Sequence, residues 1–430
     1  MRTRKLVVVA LAIAASLAVA ACGGDDDGDE GGGGKAADKK LSGSANVWIM
    51  QPGSPKLEGI IKGYATDFQA KNPGTTIKVS FVPWNQAHDK FTTALAGGKV
   101  PDAAEIGTTW TPEFADQGAF TEVPKPPSGE YVSSLIDAAT LDGKVYGKPW
   151  YAGSRALIYR KDYFKKAGID APPKNWDELM AAAKKLKAEL PDVFPFAANG
   201  LSEHYYLPYI WQAGGEIATQ DGESWKAAMN SPEGAKAIEF YTNFYKQGLA
   251  PKAAVGWEEP DSQEAFINGD VAMLIAGGWT YTSIITTKKS LESKIGVTLQ
   301  PAGPSGKDTA FAGGSHLSVF KESKNPELAT AFVDFMLRPE NLNKFTNAIG
   351  FLPGTTAGIE ASGYLDDPVR KPFAEQLLEH SAVYPPSPRW GALEGANIFD
   401  GEIQKTMRGR QSPQDAAKNM AEKMDEELAG

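Results

Sequence analysis

ANVWIMQPGSPKLEGIIKGYATDF, residues 45–68, begins as an apolar run and then changes period. The first six residues read as a buried strand. After a Pro-Gly-Ser break, Leu57, Ile60, Ile61, Tyr64 and Phe68 recur at the spacing of one helix face. A strand followed at once by an amphipathic helix is the unit of an α/β domain.

Outward from this unit the rhythm continues. TIKVSFVPW (76–84) reads as a second strand, with a helix through Phe91 and Leu95, and PDAAEIG (101–107) as a short third. RALIYRKDYF (155–164) starts as a strand, and Asn175 to Glu178 forms a capping-box pattern ahead of Leu179, Leu186 and Leu190. VFPFAANG (193–200), VAMLIAG (271–277) and IGVTLQPAGP (295–304) are further strands. Ser231-Pro232 opens a helix carrying Ile238, Tyr241 and Tyr245, with Gly248 placed to end it. FAGGSHLSVF (311–320), a helix over 326–337 and a helical tail from Pro413 complete the pattern. It predicts an α/β fold with a largely parallel sheet and no fixed-period repeat.

The chain has 430 residues, 42% of them hydrophobic, enough for two domains. Arg2, Arg4 and Lys5 precede the apolar run Leu6–Ala21, which is too short and too early for a spanning helix and has the layout of a secretory signal. Val19-Ala20-Ala21-Cys22 resembles the bacterial lipobox, in which cleavage leaves a lipid-modified cysteine. Cys22 is the only cysteine, so no intramolecular disulfide and no C-x-x-C site can form. GGDDDGDEGGGGKAADKK (23–40) lacks the apolar side chains to fold and reads as a flexible tether. The expected layout is a signal peptide over 1–21 and a tether over 22–43. Removing the leader leaves 41 basic against 53 acidic residues, a charge of −12, which argues against nucleic acid as a partner.

No G-x-S-x-G, P-loop or H-E-x-x-H pattern occurs, and His88, His204, His316 and His380 are too scattered for a His-rich metal site. Among 53 carboxylates a glycosidase pair can still hide. What recurs is an aromatic or small polar residue just after a strand: Trp48 to Ser54, Trp84-Asn85, Thr108 to Trp110, Trp150-Tyr151, Tyr205-Tyr206, Trp279 to Tyr281, and Trp390. Ligands of α/β sheets bind beyond the carboxyl ends of strands, and flat rings beside short polar groups suit the apolar faces and polar rims of sugars.

Several stretches carry a family resemblance. GKVYGKPWYAGSRALIYRKDYFKKAGI (143–169), QEAFINGDVAMLIAGGWTYTSI (263–284), VPDAAEIGTTWTPEFADQGAF (100–120), FAGGSHLSVFKESKNPELATAFVDFML (311–337) and GFLPGTT (350–356) resemble, in order, segments of bacterial extracellular solute-binding proteins of the type that includes the maltose-binding protein. Arg160 departs from that pattern, which usually has Asn or Asp there. The resemblance implies a two-lobed, type II periplasmic-binding-protein fold, with residues 44–152 and 309–352 in one lobe and 153–308 and 353–430 in the other. It implies a sugar-binding subunit of an ABC importer, with no catalysis, cofactor or metal. Its partners would be a di- or oligosaccharide, permease subunits with a cytoplasmic ATPase, and the outer face of the membrane through Cys22; the subunit itself would be monomeric.

Carried onto this sequence, the resemblance assigns Gln51, Gly53, Ser54, Thr108, Thr109, Trp110, Gly313, Gly314 and Ser315 to one wall of the cleft. The other wall takes Tyr151, Arg155, His204, Trp279, Tyr281 and Trp390, and Trp84 joins the ligand-binding set. In this reading Gly277 and Gly278 turn the chain at the cleft wall and leave Trp279 open to a sugar ring. Two rivals remain: a secreted glycoside-active enzyme, and a binder of a non-sugar solute, for which Arg155 would clamp a carboxylate.

Overall fold

The structure, a computed structural model, describes residues 40–222 and 224–429. The expected leader, Cys22 and most of the tether lie outside these residues.

Strand β1 (Gly43–Met50) leads into helix α1 (Pro55–Lys71), which starts on Pro55 and is capped by Ser54. Strand β2 (Thr75–Val82), α2 (Trp84–Ala96), β3 (Ala103–Gly107) and α3 (Thr111–Asp116) follow. A long strand, β4 (Lys148–Arg160), precedes α4 (Trp176–Glu189) and the three-residue β5 (Phe194–Phe196). Then come α5 (Pro232–Lys246), α6 (Glu259–Asn268), β6 (Val271–Gly277), α7 (Gly278–Thr287) and β7 (Ile295–Thr298). The chain ends through β8 (Ala310–Val319), α8 (Pro326–Met336), β9 (Leu352–Pro353), β10 (Ser381–Ala382), α9 (Trp390–Gly395) and α10 (Pro413–Ala429). The capping pattern read at Asn175 is formed: its side chain accepts from the Glu178 amide at 2.9 Å. Ser231 caps α5, and Gly248 beyond its end has φ +69°.

The main path of the sheet runs β2-β1-β3-β8-β4-β6-β5, with β7 and β9 also on β4 and β10 on β8. The sheet is mixed, where the sequence predicted it largely parallel. β1 is parallel to β2 and β3, but β8 is antiparallel to β3 and β4, and β6 to β4. The difference comes from β4 and β8, whose apolar runs give no strand direction.

β4 serves two half-sheets. From Lys148 to Ser154 its partners are β8 and β9; from Arg155 to Arg160 they are β6 and β7. The first half-sheet buries Val47, Ile49, Ile61, Tyr64 and Phe68 against α8 residues Phe332 and Phe335. The second packs Phe196, Tyr241, Phe244 and Ile275 with Trp390, Met420 and Met424 from the end of the chain. Ala152, Ala312, Leu352 and Leu377 fill a smaller core at the crossing.

Candidate functional site

At the crossing, Arg155 of β4 stands opposite Gly277 of β6. Helix α7 begins on the very next residue, so Trp279 lies in a helix's first turn and not in a loop. Neither glycine has positive φ. Their role is clearance: a Cβ on Gly277 would fall inside the Trp279 indole, and one on Gly278 would sit 2.6 Å from the Gly350 carbonyl. The expected turn is therefore a close approach. The Trp279 ring is stacked on Phe351, centroids 4.4 Å apart and planes within 12°, with the Arg155 guanidinium 5.3 Å from its centroid. One face of the indole is therefore covered by Phe351, while the residue as a whole is half-buried.

Glu259 of α6 ties this group together. One oxygen accepts from the Trp279 indole N–H and the Thr280 hydroxyl; the other pairs with Arg155 at 2.9 Å. Burial alone would raise the Glu259 pKa, but the Arg155 charge together with the hydrogen bonds from Thr280, Arg155 and Tyr205 outweighs it and holds the carboxyl below its ordinary value. Arg155 is thus committed to a protein carboxylate.

A second group forms where α9 meets the first half-sheet. Gly391 lies so close that a Cβ would strike the Glu113 carboxylate, and a Cβ on Gly395 would be 3.4 Å from His88. That contact brings Glu394 to the Thr109 hydroxyl at 2.6 Å and the Trp110 indole N–H at 2.9 Å. The other Glu394 oxygen is 3.6 Å from His204 Nε2, and a Glu203 oxygen is 3.7 Å from His204 Nδ1. The His204 ring stacks on Phe311 (4.6 Å, 8°) and on Tyr384 (5.6 Å, 16°). Burial, with the Arg155 charge, holds His204 well below its ordinary pKa, so the ring is neutral. Burial and the Glu394 charge push Glu203 well above the carboxylate range, and burial raises Glu394 as well. A small cavity of about 10 Å³ adjoins the group, walled by Thr108, Thr109, Phe311, Tyr384 and Pro385 among others.

Four expected site residues are drawn into structural roles. Ser315 is fully buried in β8, with its hydroxyl donating to Glu105 at 2.7 Å, and the Tyr151 hydroxyl donates to the same carboxylate. The Met50 amide reaches its second oxygen at 2.8 Å. Burial pushes the Glu105 pKa up to about 7 against these bonds. Gly313 and Gly314 are not a ligand loop but the interior of β8, opposite Gly153 and Ala152. A Cβ on Gly314 would collide with the Tyr151 carbonyl, which is why a glycine stands there.

Two aromatics expected in the cleft are core. Tyr281, 4% exposed, packs with Ile284, Leu291 and Phe373 two helix positions past Trp279, on the other face of α7. Trp390, 1% exposed, stacks on Tyr384 at 4.7 Å. Trp84 is 42% exposed, 5.5 Å from the Trp110 ring. Thr108 donates its amide to the Gly314 carbonyl. Gln51 and Gly53 are exposed, and Ser54 is spent as the α1 cap.

Sequence reading missed Glu203, Glu259, Glu394, Phe311, Phe351 and Tyr384. Glu203 and Tyr384 had local signals, beside His204 and in an aromatic-proline segment, but a lone Glu among 53 carboxylates carries none. The Glu203, His204 and Glu394 ligand atoms lie within 4.8 Å of one another, tighter than the scattered histidines suggested. His316 is a core residue, with Nε2 at 2.9 Å from the Leu135 carbonyl and Nδ1 at 2.8 Å from Thr111.

Residues 54–342 match the family described as bacterial extracellular solute-binding protein. A binding protein of Brucella abortus is 32% identical over 365 residues, which cover 83% of this chain and 87% of that one. The diacetylchitobiose binding protein DasA of Streptomyces coelicolor is 30% identical over 398 residues, 91% of this chain and 92% of DasA. Among solved structures, an ABC transporter solute-binding protein of Thermotoga lettingae bound with α-D-tagatose superposes with a TM-score of 0.79. It is 28% identical and covers 90% of this chain and 100% of its own. The GacH receptor of Streptomyces glaucescens, solved unliganded and with acarbose, shares the fold with a TM-score of 0.81 at 24% identity, covering 90% and 99%.

Proposed function

The chain belongs to the bacterial extracellular solute-binding protein family, and from that premise we propose that it is the substrate-binding lipoprotein of an ABC importer for a di- or oligosaccharide. The relatives that bind diacetylchitobiose, tagatose and acarbose support a sugar. So does the chemistry at the β4 crossing, where ring faces and hydrogen-bonding carboxylates interleave.

The observation that carries the reading is the contact of α9 with the first half-sheet. Glu394 belongs to a helix packed in the second half's core, yet it is bonded to Thr109 and Trp110 of the first. Ligand polar groups competing for those bonds would link the two halves through the sugar. In this reading the lobes are 44–152 with 309–352 and 153–308 with 353–430. The change of β4 partners between Ser154 and Arg155 supports that boundary. A cavity of about 10 Å³ holds about one water, far below the roughly 300–1,000 Å³ of a ligand pocket, so an oligosaccharide enters with the lobes apart and closure follows. Cys22 anchors the mature chain to the outer face of the membrane, and the closed monomer is what the permease receives.

A thermal-shift screen tests the function. Sugars that bind only the native state raise the melting temperature. A panel in which amino acids, peptides or phosphate esters raise it and no sugar does would refute the reading.

A further inference from the structure

The charges around the junction do not balance. Arg155 is paired with Glu259 at 2.9 Å and His88 with Glu113 at 2.8 Å. What remains facing His204 is Glu203, Glu394 and, behind them, Asp400, which accepts from the Tyr206 hydroxyl at 2.6 Å. Among the described residues no Lys or Arg forms an ion pair with any of the three, and His204 is neutral. Glu203 is 7% exposed, and its Oε1 has no hydrogen-bond donor. That oxygen and Glu394 Oε1 both approach the nitrogen-bearing edge of the His204 ring. Phe311 and Tyr384, which stack on each other at 4.2 Å beside the His204 ring, also wall the cavity, as does Thr109, which holds Glu394.

Burying carboxylates without a cation is costly, and proteins avoid it unless something neutralises the charge. We propose that the Glu203–Glu394 pair is a cation subsite, and that the favoured ligand is a glycoside with a free amine, held as its ammonium between the two carboxylates. This rests on the reading of the cleft as a sugar site. An ammonium offers several N–H donors, enough to satisfy the open oxygens of both residues, while the sugar ring meets the aromatic wall. A neutral hydroxyl meets the hydrogen bonds but leaves the charge. An N-acetyl group presents one N–H and no charge. The pair keeps a proton when alone, because burial raises both carboxyls and the Glu394 charge raises Glu203 further. The ammonium takes that proton's place, so binding releases a proton to the solvent.

The test uses sugars that differ in one substituent. Glucosamine and its β-1,4 dimer are titrated calorimetrically against glucose, cellobiose and the N-acetylated counterparts, with galactosamine and galactose as a second stereochemistry. Wild type, Glu203→Gln and Glu394→Gln are compared. The amine should bind about ten- to a hundredfold tighter than its neutral counterpart, the usual worth of a hydrogen bond to a charged group. Either Gln variant should erase most of that advantage, read within each protein as the ratio of amine affinity to that of its neutral counterpart. Titrations in two buffers of different ionisation heat should show proton release for the amines alone.

Neutral or acetylated sugars binding as tightly as amines would overturn the proposal and leave the sugar function standing. An amine advantage that survives in both Gln variants would also overturn it, by placing the ammonium elsewhere. Spermidine or Zn²⁺ binding at the pair with no preference among sugars would make it a cation site unrelated to glycosides and refute this assignment. A panel in which no glycoside binds removes both readings together.

Discussion

Replacing Glu105 by Gln should change how stability depends on pH more than it changes stability at any one pH. Glu105 is 1% exposed and accepts from Tyr151, Ser315 and the Met50 amide, so it joins β1, β3, β4 and β8 at one point. Burial raises its pKa from the ordinary 4.5 to about 7. A raised folded-state value means the native state binds the proton more tightly than the unfolded chain does. The contribution is therefore complete below about 4.5 and is lost as pH rises through about 7. Each tenfold in proton affinity is worth about 1.4 kcal/mol, so the full difference is on the order of 3 kcal/mol, most of it between pH 5 and 8. Gln cannot titrate. Urea melts of wild type and Glu105→Gln at both pH values, compared as differences, cancel the other titrating groups, since those are common to the two proteins. The substitution should look costly at pH 5 and about 2–3 kcal/mol less so at pH 8. A difference that stays constant to within about 0.5 kcal/mol across that range would show that Glu105 is ionised throughout.

Trp279→Ala removes a ring stacked on Phe351 and a donor to Glu259, and should weaken sugar binding by about 1–3 kcal/mol in calorimetry. Trp279→Phe should keep much of it; unchanged affinity with about 3–5 kcal/mol of lost stability would make the indole purely structural. Gly391→Ala puts a methyl against the Glu113 carboxylate and should hold α9 off the first half-sheet. Small-angle scattering with saturating sugar should then report a more open particle than wild type, and identical profiles would count against α9 as the closing contact. Cys22→Ala should release the protein from the membrane fraction; an unchanged acylated N-terminus by mass spectrometry would refute the anchor.

Period and caps were legible in the sequence because they are local. Leu57, Ile61, Tyr64 and Phe68 announce α1 by spacing alone, and Asn175 with Glu178 announces the start of α4. The direction of β4 was not legible, since pairing is decided by partners more than a hundred residues away. For the site, the sequence located the neighbourhoods and misjudged the faces. Trp279 and Tyr281 share one run, yet a helix begins between Gly277 and Trp279 and sends Tyr281 to the core. Ser315 and Tyr151 resemble ligand groups until Glu105 is seen to hold both. Glu394 was invisible because its meaning comes from a contact across some 285 residues of chain.

The interleaving of the two half-sheets also governs the order in which the molecule can be made. The core around Phe196, Tyr241 and Ile275 is closed by Trp390, Met420 and Met424, from the last helices of the chain. A polypeptide emerging from its N-terminus therefore lacks the second half's last wall until nearly all of it is available. Contacts of such sequence separation form slowly, because the loop they close must be ordered before any of them contributes. Early in its life the chain is a long stretch without its final partners, and a truncation of the last eighteen residues would leave that core without Met420 and Met424.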